Sequence, residues 1–308
     1  MLTAGGKWRW PSLFAAGLGL GVVLGVAFGL PSGGAAAPDI PAALRQVPAR
    51  IVSALPTPQG ESGLPLSARF APPLSRAGRP RIAIVIDDLG LDWGAFSQAE
   101  ALPPPVTLSF LPYGEDAQAM LEAVGPGHEI MLHLPMQPTI REEDAGPGML
   151  RTDQGPAALS AALAGNLEKL RGYEGVNNHT GSLFTADPEA MRVVLEALDR
   201  RGLYFLDSLT TPRPVAKDLA EEAGWRVIER DVFLDTDRKA GAPYVKKQLA
   251  QAEKIAKIHG AAVVIGHPYE ATLGTLGPWL VTAQARGFEI VGVSDLLPPA
   301  PVVTAGLR

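Results

Sequence analysis

The chain of 308 residues has no cysteine, which excludes disulfides, thiolate metal sites and a cysteine nucleophile. Any metal must therefore be held by histidine, aspartate and glutamate. Aromatic residues are scarce at 6% and charged residues amount to 19%. The hydrophobic share is nonetheless 46%, enough for a sizeable core, so the chain as a whole is not intrinsically disordered. Thirty-four glycines and 29 prolines exceed a fifth of the residues, so part of the chain must be loop or linker. Acidic residues are sparse in the first 80 residues and abundant after them. Residues 1–80 carry Lys7, Arg9, Arg45, Arg50, Arg69, Arg76 and Arg79 against Asp39 and Glu61, a balance of +5, and the remainder carries −10 of the overall −5. An acidic body repels polyphosphate, which argues against nucleic acid as a partner.

Lys7 and Arg9 precede an uncharged stretch from Pro11 to Leu30. About twenty residues at 1.5 Å rise span the roughly 30 Å hydrocarbon layer and exceed the core of a cleaved secretory signal. The stretch predicts an uncleaved transmembrane anchor within residues 1–31, with a signal cleaved near Ala35–Ala37 as the alternative. Gly17, Gly21, Gly25 and Gly29 recur every fourth residue, on one helix face, a pattern suited to self-association. Residues 32–80, rich in Pro, Ala, Gly and Arg, read as a flexible linker, and residues 298–308 as a disordered tail. This organisation predicts a periplasmic domain, residues 81–297, tethered to the inner membrane.

Within that domain, short apolar runs alternate with segments of helical period. Arg81–Ile86, Val106–Phe110, Glu129–Leu134, Leu203–Leu206, Trp225–Ile228, Ala261–Ile265 and Phe288–Val293 read as strands buried on both faces. Helices are expected near Asp116–Val124, Pro156–Arg171, Pro188–Arg201, Pro214–Ala223, Pro243–His259 and Leu276–Arg286, several with proline in the first turn and glycine after the last. Such βα repetition implies a parallel sheet or barrel with its chemistry at the carboxyl ends of the strands.

Polar residues do interrupt the chain where the apolar runs stop. Asp87-Asp88, His133, Asn177-Asn178-His179, Asp207-Ser208, Asp235 and His267 each follow such a run. Singly, each has a structural explanation, as a helix cap or a hydrogen-bonded core residue. Together, His133, His179 and His267 with the two aspartates suit a His/His/carboxylate site for a divalent ion, zinc foremost. Adjacent acids at a buried strand end are costly without a cation or a shared proton. His128 begins its strand, at the wrong end for such a rim, and reads as structural. His259, at a helix C-terminus, complements the helix dipole.

Ile84–Gly90, Gly127–Met136, Gly175–Ser182, Tyr204–Ser208, Val232–Asp235 and Ile265–Pro268, in this order, resemble the signature blocks of the divergent polysaccharide deacetylase family. The resemblance implies a distorted (β/α) barrel with about seven parallel strands. It also implies a metal-dependent hydrolase that deacetylates an N-acetylated cell-envelope polysaccharide with a metal-activated water. Carried onto this chain, it makes Asp88, His133 and His179 the metal ligands, Asp87 the general base and His267 the group that protonates the leaving amine or steadies the oxyanion. Asp207, Asp235 and Asn178 would orient an imidazole, fix substrate hydroxyls or brace the His179 loop. Ordinary deacetylases take both metal histidines from one HxxxH-type block, whereas no second histidine follows His133 here. That departure keeps open a catalytically silent metal-containing protein that binds glycan or serves as a scaffold in the cell envelope. A phosphoesterase is the weakest alternative, because the six blocks contain no Arg or Lys to hold phosphate.

Overall fold

The computed structural model describes residues 78–140 and 143–297. The anchor with its glycines, nearly all of the linker and the tail lie outside the described residues. No helix among the described residues is long and apolar enough to cross a membrane.

The strands are β1 (Arg81–Leu89), β2 (Thr107–Phe110), β3 (Glu129–Met136), β4 (Gly175–Thr180), β5 (Tyr204–Asp207), β6 (Val227–Glu229), β7 (Val232–Phe233), β8 (Ala261–Gly266) and β9 (Glu289–Val291). The helices are α1 (Trp93–Glu100), α2 (Ala117–Glu122), α3 (Pro156–Leu167), α4 (Pro188–Asp199), α5 (Ala216–Ala223), α6 (Gly241–His259) and α7 (Glu270–Ala283). Every strand pairing is parallel. The order is β6-β5-β4-β3-β2-β1-β8-β7, with β9 beside the first residues of β1. In that order β6 and β7 are the outer strands, yet only Arg230 and Asp231 separate them in sequence. Eight strands laid flat span roughly 34 Å, whereas the chain from Glu229 to Val232 reaches at most about 11 Å. The sheet must therefore curl until its edges face each other. The result is the expected distorted (β/α) barrel, closed by two residues of chain.

Seven strands fall where apolar runs predict them. The other two are β4, whose sequence GVNNHT is mostly polar, and the two-residue β7. The helices differ at two places. α1 buries only Phe96 and Ala99, too little apolar material to show a period, and its start is fixed by Asp92, which accepts from the Ala95 N–H at 2.7 Å. α7 begins at Glu270, six residues before the expected Leu276. Pro278 lies inside it, and Leu273, Leu276, Leu280 and Ala283 line its buried face.

Alternation along the strands divides the core. Ile82, Ile84 and Ile86 pack with helix residues such as Phe96, Leu163, Leu198 and Leu249. Ala83 and Val85 pack instead with Met131, Tyr204, Leu206, Val263 and Ile265, the inside of the barrel. Because the side-chain period is two, the inner set continues upward into Asp87 on β1, His133 on β3, Asn177 and His179 on β4, and His267 after β8. The barrel floor is polar as well. Buried Glu129, on the inner parity of β3, accepts from Thr107 Oγ1 (3.0 Å), Tyr204 OH (2.8 Å), Val293 N (2.5 Å) and Ser294 N (3.1 Å). An apolar plug thus separates a satisfied carboxylate below from the functional rim above.

Tyr204 lies across Gly175, where an added Cβ would come within 2.3 Å of the tyrosine ring. Gly175→Ala should therefore cost about 1–3 kcal/mol of stability through overpacking. An unchanged urea midpoint would contradict the close approach of β4 and β5.

Candidate metal centre

Asp87 and Asp88 end β1 but reach the rim by different means. Asp87 stands on the inner parity. Alternation alone would send Asp88 outward, but its φ of 61° is left-handed and the β1–β2 register shifts between Ile86 and Leu89. This bulge turns Asp88 onto the rim. His133 and His179 come from neighbouring strands, and the register His133↔Asn177 and Pro135↔His179 sets their offset.

Three donor atoms converge there. Asp88 Oδ1 lies 3.1 Å from His179 Nδ1 and 3.4 Å from His133 Nε2, and the two nitrogens are 3.1 Å apart. A tetrahedral divalent ion with arms of about 2.1 Å has ligand edges of about 3.4 Å, so this triangle matches one face of such a coordination sphere. Asp88 Oδ1 is buried and accepts no hydrogen bond, an orphan that a cation would satisfy. Among the described residues, Asp88, His133 and His179 are the group whose ligand atoms all lie within 4.8 Å of one another. The residues present thus fit a divalent ion with one face left open.

Asn177 fixes the protonation pattern. Its Nδ2 donates to Asp87 Oδ1 at 2.8 Å. Its Oδ1 accepts from Ser109 Oγ at 2.7 Å and faces His133 Nδ1 at 2.8 Å. His133 therefore carries a proton on Nδ1, and Nε2 is the nitrogen turned toward the cluster. Burial pushes the Asp87 carboxyl up, against the opposing pull of His133, His267 and Asn177. Burial also opposes ionisation of Asp88, yet the His133 and His179 rings hold it well below the usual carboxylate range. Burial disfavours a charged His133, but Asp87 and Asp88 hold its pKa up.

His267 stands opposite, its Nε2 3.9 Å from Asp88 Oδ2. Its Nδ1 donates to Asp235 Oδ1 at 2.8 Å, while Asp235 Oδ2 accepts from the His267 N–H (2.7 Å) and Thr272 Oγ1 (2.8 Å). Burial acts to lower the His267 pKa, but Asp235 and the other carboxylates push it up to about 9. The early start of α7 matters here, because Thr272 lies in its first turn.

The structure does not bring all the expected residues to the centre. Asp207 holds no imidazole. Tyr204 and Leu206 face inward, so Asp207 has the outward parity; its Oδ1 accepts from the Leu209 N–H at 2.8 Å and supports that residue's φ of 50°. Its Oδ2 is buried without a partner, and burial pushes its pKa up to about 6. Asp235, two residues beyond inward-facing Phe233, does orient an imidazole. Asn178 joins strand ends, accepting from the Ser208 N–H at 2.9 Å and donating to Thr180 O at 2.7 Å. The partners that sequence reading passed over are Ser109, Thr272 and the amide polarity of Asn177. Counting by twos from the inner strand residues finds Ser109 and Asn177. His128, with its ring nitrogens 2.9 Å from Val106 O and 3.2 Å from Glu100 O, lies at the opposite end of β3, as expected.

Residues 84–297 match the family model described as divergent polysaccharide deacetylase. The chain belongs to that family. An uncharacterized protein of Haemophilus influenzae is 33% identical over 232 residues, covering 72% of this chain and 81% of the relative. The uncharacterized protein YibQ of Escherichia coli K12 is 33% identical over 226 residues, 73% and 70% of the two chains. Among solved structures, an uncharacterized protein of Agrobacterium tumefaciens C58 superposes with a TM-score of 0.69 at 30% identity, covering 75% of this chain and 94% of that one. The Agrobacterium protein thus shares the fold of residues 78–297.

Removing the Asn177 amide should leave Asp87, His133 and Ser109 without their common partner. With zinc as the probe ion, Asn177→Ala is expected to weaken divalent-ion binding by about 10- to 100-fold relative to wild type, as read by competition with a chelator; undiminished affinity would deny Asn177 its orienting role. Asp207 offers a pH test. Its native pKa of about 6 exceeds the unfolded value of about 3.9, so its protonated form favours the fold below about pH 4, and that contribution, about 3 kcal/mol, is lost as pH rises through 6. Asp207→Asn removes the dependence, so its stability relative to wild type should climb between pH 4 and 7. A constant difference across that range would show that the carboxyl is not strained by burial.

Proposed function

We propose that the protein is a zinc-dependent hydrolase that removes acetyl groups from an N-acetylated cell-envelope glycan. The reading rests on one arrangement: Asp88, His133 and His179 form a coordination triangle, with Asp87 and His267 on its flanks. A divalent ion held by those three would polarise the acyl carbonyl and the attacking water. Two imidazole nitrogens and one carboxylate oxygen suit zinc among the divalent ions.

The chain's own groups account for the protons. Asp87, anchored through Oδ1 by Asn177, takes the proton released when water adds to the carbonyl carbon. His267 has Nδ1 committed to Asp235, so Nε2 faces the centre and delivers a proton to the departing nitrogen. The C–N bond breaks, a C–O bond has formed, and acetate and an amine leave. Lys7, Arg9 and the uncharged stretch after them support a periplasmic location, where wall glycans are the available N-acetylated polymers.

The full chain with zinc should release acetate from an N-acetylated wall glycan. Asp88→Ala and His133→Ala should lose both zinc and turnover. Asp87→Asn should keep zinc and lose about 10²- to 10⁴-fold in turnover. Zinc retention and full activity in Asp88→Ala would falsify the assignment. Zinc-dependent glycan retention with no acetate released would instead indicate the silent binding protein.

A further inference from the structure

Around His267 the aromatic and guanidinium groups form a column. Arg230 lies 4.0 Å over the Phe233 ring. Phe233 stacks on His267 at 6.2 Å and 17°, and His267 stacks on Tyr269 at 5.4 Å and 22°. Arg238 lies 4.1 Å over Tyr269. The two guanidinium groups at its ends differ. Arg230 is partly buried and donates to Ser208 O (2.8 Å) and Leu209 O (3.3 Å), so it ties loops together. Arg238 is exposed and, among the described residues, forms no ion pair. The neighbouring Asp237 is engaged with the Ala240 N–H at 3.1 Å.

We propose that Arg238, laid on Tyr269 beside His267, is a subsite for a carboxylate carried by the sugar next to the one being deacetylated, which makes the substrate an acidic glycan. The inference rests on the deacetylase reading above and narrows its substrate. A guanidinium with its face on an aromatic ring keeps its N–H edge free and pre-oriented for a bidentate carboxylate. The centre itself bears Asp87, Asp88 and Asp235, and residues 81–308 carry −10, so an acidic polymer needs a local cation to approach. The Tyr269 ring, 4.1 Å from the guanidinium and 5.4 Å from the imidazole, separates Arg238 from His267. The group it takes therefore belongs to a neighbouring sugar and not to the acetyl under attack. The six rim blocks lack arginine and lysine; Arg238 comes from the loop three residues past Asp235.

The test uses the zinc-loaded full chain with two probes: glycan strands of alternating N-acetylglucosamine and N-acetylmuramic acid, and the same strands with the lactyl carboxylates methyl-esterified. Wild type should bind the acid about 10- to 100-fold more tightly than the ester and show the same preference in KM. In Arg238→Ala that ratio should fall to about one, Arg238→Lys should keep part of it, and Arg238→Glu should invert it. Circular dichroism and zinc content check that each variant is folded. Acetate release with equal handling of acid and ester, or a preference that survives in Arg238→Ala, would overturn the subsite while leaving the deacetylase reading intact. Acid-selective binding without acetate from either probe would support the subsite as a binding site and overturn the reading of turnover. Failure of wild type to bind either strand would overturn both.

Discussion

A single buried amide sets the polarity of the centre. An amide has one donating end and one accepting end, and at Asn177 both are committed, to Asp87 on one side and to His133 with Ser109 on the other. Reversing it would set its oxygen against a carboxylate and its N–H groups against the proton on His133 Nδ1. With the orientation fixed, Asp87 must accept and His133 must present Nε2. The states of the proposed base and of the proposed metal ligand thus follow from one group that does neither job. It also explains a strand with poor local credentials: β4 carries two asparagines and a histidine where apolar residues would suit a buried strand, the kind of local conflict expected at a functional site.

Backbone strain is concentrated in the same layer. The three non-glycine residues with left-handed φ among the described residues, Asp88, Thr180 and Leu209, all lie at or just past the carboxyl ends of strands. Each such residue costs on the order of 1–3 kcal/mol unless its surroundings hold it. Thr180 is held by its hydroxyl on Met136 O at 2.6 Å and Leu209 by Asp207. Asp88 is the instructive case, because its strain breaks the alternation. Two consecutive carboxylates then face one cluster from different sides, which extended backbone alone does not allow.

Much of this was legible in the sequence, and the limits are physical. Continuous apolar runs marked seven strands: β1, β2, β3, β5 and β8 are buried on both faces, as a parallel sheet covered by helices requires, while β6 and β9 are only partly buried. The rim followed because chemistry in such folds gathers at strand ends. Apolar runs were blind to β4, whose inner residues serve the site and not the core, and to α1, which buries two side chains. The Asp207 and Asp235 pair was separable in principle: Asp207 follows an inward leucine and so faces out, while Asp235 stands two beyond an inward phenylalanine. Recognising that required knowing which strand residues faced in, which a run apolar on both faces hides. The turn of Asp88 had no signal of its own, since a bulge depends on how β1 meets β2.

The separation of the two histidines onto different strands changes what the site depends on. A pair within one short block would be placed by local backbone alone. Here His133 and His179 meet because β3 and β4 pair over six residues, Met131↔Gly175 through Met136↔Thr180, and inner positions offset by two residues lie within side-chain reach. A slip of one residue would turn His179 toward the helices and put Asn178 where Asn177 now holds Asp87 and His133. The proposed ligand, the orienting amide and the proposed base would be lost together. The register is guarded from both sides. Gly175 admits the Tyr204 ring across the bottom of β4, and Asn178, on the outward parity, ties the top of β4 to Ser208 beyond β5. Asn177 and His179 hold the chemistry while Gly175 and Asn178 hold the pairing, so the candidate metal centre is a property of the sheet as much as of the residues that would bind the ion.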